Sequence, residues 1–317
     1  MATEPALDAE IQHKTEAQRT RTTGSSLVAV LLIVFSMLPI TGTCGDFQRL
    51  CRSDDPGCSE TSLLTFLTLA SLRAVYWGDI TNSLLYKMDD GTMTATPRIG
   101  VPSLPRELSF SADGRTLWMA NGAQVLRISM VDGANTTITS SPSDVMDLVV
   151  LEEEGIIYYS DNGSGQIDTT DLSGGNYTTV FGPGSNEAMD LDAENEHLYM
   201  VDNNQLKRFN FDGTGEIVLV ASVGLTFDLE LDLAAGKIYW ADGTSSEIHS
   251  ANLDGSNEQV LISGLSSPRG IAVSPASPYI YFCDFGNQAI TRILRDGTDP
   301  VVVSSGYQCQ DVDFASR

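Results

Sequence analysis

Ile238-Tyr239-Trp240-Ala241-Asp242 opens a stretch that continues through Ile248 and Ser250, Ala251-Asn252-Leu253-Asp254-Gly255 and Gln259-Val260-Leu261-Ile262. It ends at Pro268-Arg269-Gly270-Ile271-Ala272-Val273. Four short apolar runs, rich in β-branched and aromatic residues, are separated here by Gly, Asp, Asn, Ser and Pro, the pattern of four strands divided by turns. Read alone, Ile238 to Val273 is one four-stranded unit. The pattern recurs along the chain, and the recurrence decides the architecture.

The aspartate that closes the aromatic run falls at Asp79, Asp161, Asp202, Asp242 and Asp284, with Asn121 in its place in the second copy, at steps of 42, 40, 41, 40 and 42 residues. A second marker keeps the same phase: Asp90-Gly91, Asp132-Gly133, Asp212-Gly213, Asp254-Gly255 and Asp296-Gly297, with Ser173-Gly174 in the third copy. Two markers in register give six repeats. A unit of this size, with four strands and no helical period, cannot bury both faces of its small sheet alone and must stack on its neighbours. Radial stacking into a closed ring leaves only short, protected edges. The sequence therefore predicts an all-β fold, a six-bladed β-propeller of four-stranded blades. The Asp-Gly pairs supply the positive φ that tight hairpins need.

Tyr76-Trp77-Gly78-Asp79 and Tyr239-Trp240-Ala241-Asp242, with Asn252-Leu253-Asp254-Gly255 downstream, resemble the YWTD repeat, or class B repeat, of the low-density lipoprotein receptor family. The other copies read Trp118-Met119-Ala120-Asn121, Tyr158-Tyr159-Ser160-Asp161, Tyr199-Met200-Val201-Asp202 and Tyr281-Phe282-Cys283-Asp284, and the resemblance runs from about Ala74 to Arg317. It implies that the motif aromatics and aspartates are architectural and tie blades together.

The residues before the repeats carry a different signal. Residues 1–26 are polar, mixed in charge and without apolar periodicity, the composition of a disordered leader. An almost unbroken apolar run from Leu27 to Leu38 follows and is ended by Pro39, so that 27–43 reads as a membrane or signal segment. Lys14, Arg19 and Arg21 precede it, which favours a cytoplasmic N-terminus and export of everything after it. Three readings stand: an uncleaved signal anchor, a lipoprotein signal ending at a lipidated Cys44, and a cleaved secretory signal. Residues 44–73 form a Cys-containing linker and cover segment that includes the apolar run Leu63 to Leu72, and 74–317 form the propeller. The end of the chain, Val312-Asp313-Phe314, matches the strand Ile271-Ala272-Val273 and is expected to close the ring.

Five cysteines are present. With Cys44 set aside for lipid, four remain, which pair locally as Cys51 with Cys58 and Cys283 with Cys309 in an exported protein. No CxxC or nearby histidine completes a zinc set at the Cys44, Cys51, Cys58 spacing.

The formal net charge is −24. Such a surface argues against nucleic acid and anionic head groups, since phosphate neutralisation needs a basic one. Catalytic triads lack a histidine in a useful place: His13 precedes the apolar run, and His197 and His249 stand at strand edges. No Gly-rich loop opens a helix, so nucleotide binding has no support. Asn135, Asn162 and Asn176 begin Asn-x-Ser/Thr sequons, read as chance occurrences.

One constellation remains. The strand before each aromatic motif is expected to be innermost, and these strands begin with Glu107, Asp147, Asp190, Asp228, Glu230, Asp311 and Asp313 at the mouth of the channel. Carboxylates converging on one axis repel unless a cation or donors neutralise them, so a Ca²⁺ site stands against a purely structural use of these acids. With the metal, the chain is a lactonase- or esterase-like hydrolase. Without it, the chain is a non-enzymatic, membrane-tethered, extracytoplasmic binding scaffold whose loops meet a protein or glycan ligand. The second is the leading expectation.

Overall fold

The computed structural model describes residues 74–315 apart from 90–94, 102–104, 140, 141, 183 and 185. The leader, the apolar segment 27–43, Cys44, Cys51, Cys58, the run Leu63 to Leu72 and the pair Asp90-Gly91 therefore lie outside the described residues. Among the described residues, no helix is long and apolar enough to cross a membrane.

Among the described residues, twenty-four strands form six four-stranded antiparallel sheets. From the channel outward, blade 1 is Cys309–Phe314, Ala74–Asp79, Leu84–Asp89 and Thr96–Gly100. Blades 2 to 6 each take four consecutive strands and begin with the innermost strands Glu107–Phe110, Val145–Leu151, Asn186–Asp192, Thr226–Asp232 and Pro268–Val273. The strand near the C-terminus thus completes the first blade, Val312 opposite Trp77 and Phe314 opposite Val75. The sequence repeat and the blade are out of phase: Ile238 to Val273 supplies the outer three strands of blade 5 and the innermost strand of blade 6. A unit that crosses a blade boundary links its neighbours covalently, and no blade folds from one repeat.

The apolar core consists of seams between blades. Tyr199 and Val201 of blade 4 pack with Leu229 and Trp240 of blade 5, and Trp77 and Val312 of blade 1 with Tyr281 and Cys283 of blade 6. Trp77, Tyr159, Trp240 and Phe282 are fully buried, as expected if each small sheet finds its apolar partner in the next. Tyr76, Trp118 and Tyr239 are buried in neighbouring seams. The Asp-Gly turns serve the same end. Gly255 has φ +80°, and a Cβ there would strike the Leu219 carbonyl of the preceding blade's outer strand. That position needs glycine for space as well as for backbone conformation.

In blades 1, 3, 4, 5 and 6 the register between innermost and second strands slips by one residue near the start of the innermost strand, for example between Thr226 and Leu229 and between Pro268 and Ile271. Two residues there oppose one on the partner. Such bulges re-aim side chains at the rims of sheets, and here they fall at the mouth of the channel.

Candidate functional site

The motif aspartates anchor the loops at the mouth end. Asp161 accepts hydrogen bonds from the Ser143 and Asp144 amides (3.2 and 2.9 Å), the Ser143 hydroxyl (2.8 Å) and the Gly163 amide (3.1 Å). It thereby fastens the entering loop of blade 3 to the turn after its second strand. Burial pushes its carboxyl up, but the bonds from Asp144 and Ser143 outweigh this and hold it below the usual carboxylate range. Asp79 joins Thr81 and Asn82 to Gln308, Asp284 joins Ser266 to Asn287, and Asp242 caps its turn through Thr244 and Ser245. Asp202 departs from the pattern by holding the buried Lys207 at 2.8 Å. Among the described residues, the Asn121 side chain meets only Gln124 of its own turn, at 3.5 Å.

All seven channel acids are buried. Register against the second strands puts them in two tiers instead of one mouth. Glu107, Asp147, Asp228 and Asp311 share one position, and Asp190, Glu230 and Asp313 stand two residues further along. Four of them span blades through backbone amides. Asp147 accepts from Met189 (2.5 Å), Asp190 from Leu231 (2.9 Å), Asp228 from Ile271 (2.5 Å) and Asp311 from Leu108 (2.8 Å), each on the innermost strand of the next blade. The second oxygens of Asp190, Asp228 and Asp311 accept the amide of the following residue. Asp313 accepts from Phe314. Blade 6 has Gly270 at the upper-tier position, where a Cβ would collide with Asp311.

Glu107, Asp228 and Asp311 each bring a carboxylate oxygen within 4.8 Å of the others. These three could hold a hard cation, with waters completing a coordination shell of six to eight oxygens; the other four acids do not join them. Burial, and then the charges of Asp228 and Asp313, push the Asp311 carboxyl well above the usual range against the pull of the Leu108 and Val312 amides. The two described histidines, His197 and His249, lie elsewhere. His197 starts the second strand of blade 4. His249, more enclosed than its strand-edge position suggests, stacks on Trp240 with centroids 5.2 Å apart and places Nε2 3.1 Å from Glu247. Cys283 and Cys309 form a disulfide between blade 6 and the closing strand of blade 1, with Cα atoms 5.6 Å apart.

A group that the sequence did not single out rims the channel one residue before the upper acids. Arg106, Met146, Glu187, Phe227, Arg269 and Gln310 share this position, with the Glu187 side chain outside the described residues. Arg106 pairs with Asp144 at 2.8 Å. The Arg269 guanidinium lies 3.8 Å from the Phe285 ring centroid and 4.9 Å from that of Phe227, and donates to the Gln310 side chain. Burial, and then the charge of Arg106, lower its pKa. The available signal was Pro268-Arg269-Gly270, a basic residue immediately before the one innermost strand with glycine at the acid position.

A model of the low-density lipoprotein receptor repeat class B matches residues 236–274, the fifth copy. Over 146 residues the chain is 30% identical to low-density lipoprotein receptor-related protein 5-like protein of Homo sapiens; the match takes in 44% of this chain and 58% of that relative. A chain from the nidogen/laminin complex superposes with a TM-score of 0.67 at 16% identity, covering 76% of this chain and 98% of the other. A TolB structure from Agrobacterium tumefaciens does so with a TM-score of 0.60 at 15% identity, covering 76% and 91%. The two structures share the fold. The fold is a six-bladed β-propeller, and its fifth copy is similar to the class B repeat of the low-density lipoprotein receptor.

Proposed function

We propose that this chain is a non-enzymatic binding scaffold that works outside the cytoplasm and presents the mouth-end loops of its propeller to a protein partner. The observation that carries this is the use of the channel acids: Asp147, Asp190, Asp228 and Asp311 each accept a backbone amide from the next blade. Acids engaged in this way explain their own presence without catalysis. Likeness to a receptor-related protein supports the same reading, and so does a disulfide, which persists in oxidising compartments. Residues 27–43 would tether the chain to a membrane or direct its export.

The second reading, a Ca²⁺-dependent lactonase- or esterase-like hydrolase, is favoured by the proximity of Glu107, Asp228 and Asp311. Bound calcium there would polarise an ester carbonyl. The two readings separate in a calcium titration of the full chain, followed by melting temperature with and without chelator and by hydrolysis of simple lactones and aryl esters. Under the scaffold reading neither quantity responds to millimolar calcium. A calcium-dependent rise in melting temperature, together with turnover that disappears in Glu107→Gln, would replace it with the hydrolase.

A further inference from the structure

We infer that Arg269 anchors a carboxylate-binding subsite at the channel mouth, which takes an aspartate or glutamate side chain from the partner protein. This rests on the scaffold reading and gives it a chemistry. The sequence holds 42 acidic against 18 basic residues, so a half-buried cation has no shortage of candidate counter-ions. Arg106, Lys87, Lys207 and Arg295 each hold one, namely Asp144, Asp89, Asp202 and Asp232. Arg269 does not: among the described residues no carboxylate lies within ion-pair distance, and its buried Nε has no hydrogen-bond partner. A buried donor left unanswered is costly, and the neighbouring guanidinium of Arg106 adds repulsion.

The surroundings hold that cation in place. Phe285 and Phe227 flank the guanidinium, and Gln310 takes one of its N–H groups. Phe227 in turn closes against the turn at Gly243, where no side chain would fit beside it. Stacking fixes the plane of the fork without neutralising its charge. What is missing is a planar anion, and a carboxylate meets a guanidinium through two parallel hydrogen bonds. The setting favours a protein side chain over a phosphate. The net charge repels polyanions, one open guanidinium is a small site for a dianion, and the walls are apolar, with Leu225 39% exposed beside Phe227.

The test pans a displayed library of random heptapeptides against the full chain and its Arg269→Gln, Arg269→Lys and Arg106→Gln variants, with melting curves to show that each folds. The wild type is expected to enrich peptides with Asp or Glu at one fixed position. For a synthetic enriched peptide, Arg269→Gln loses about tenfold or more in affinity, Arg106→Gln only about threefold, and replacing the peptide's acid by its amide reproduces the Arg269→Gln loss. Arg269→Lys keeps the charge but not the fork, and loses most of the preference. Enriched peptides without a fixed acid, or an acidic preference that survives in folded Arg269→Gln, overturn the subsite and leave the scaffold standing. Failure of the wild type to enrich any sequence overturns both.

Discussion

Two sets of aspartates occupy the same blades and do opposite work. Asp161, at the end of a second strand, gathers four donors from its own blade and is held ionised. Asp311, on an innermost strand, receives two amides but also meets the charges of Asp228 and Asp313, and is driven toward its protonated form. Both are buried hydrogen-bond acceptors between segments distant in sequence. The difference lies in what else is nearby: loops supply donors to the first set, whereas six strands converging on an axis bring acids toward one another. Geometry that assembles the blades therefore charges their centre.

The largest effect that would sharpen this contrast is expected from Asp161→Ala. It leaves the Ser143, Asp144 and Gly163 amides without their acceptor and should destabilise the fold by about 3 kcal/mol, read from denaturant midpoints at neutral pH. A loss below about 1 kcal/mol would mean that the loop anchors are as dispensable as the channel acids. Asp311→Asn should cost less than about 1 kcal/mol at neutral pH, because removing a disfavoured charge offsets a poorer acceptor.

Titration gives an intermediate effect of opposite sign at the two sites. Asp311 binds its proton more tightly folded than unfolded, so its contribution is full below the unfolded value of about 3.9 and is lost as pH rises through its folded value. Asp161 binds its proton more weakly when folded, so its contribution is present above about pH 3.9 and is lost as pH falls through its folded value. Stability curves between about pH 3 and pH 8 should therefore flatten on the neutral side in Asp311→Asn and on the acid side in Asp161→Asn. Identical curve shapes for the two variants would dissolve the distinction. The smallest effect is expected in blade 2, where Asn121→Asp should add roughly 0.5 kcal/mol by giving its turn a charged acceptor.

The propeller was legible because its two markers lie on turns, where local chemistry dictates residue type: Asp-Gly for backbone conformation and a motif aspartate for loop amides. The acids of the innermost strands were legible too, since their offset from the aromatic motif is constant. Their pairing was not. The Asp228 to Ile271 bond joins segments more than forty positions apart across two sheets, and a one-residue bulge sets which amide is reached. The shift between repeat and blade escaped for a related reason, because four strands in a row carry no mark of which edge each will join. Arg269 was hidden by distance as well: Phe227 and Phe285 come from blades 5 and 6, and only the packing of those two blades brings both rings to one guanidinium.

The innermost strand of blade 1 comes from residues 309–314, while its partner strands begin at residue 74. During synthesis, blade 1 must therefore wait as a three-stranded sheet with an open inner edge until almost all of the propeller has left the ribosome. An interrupted chain would keep that edge, and an open edge invites pairing with other chains. The Cys283–Cys309 bond forms across the same seam. Oxidation of that pair would then mark the moment at which a chain has been made far enough to circularise.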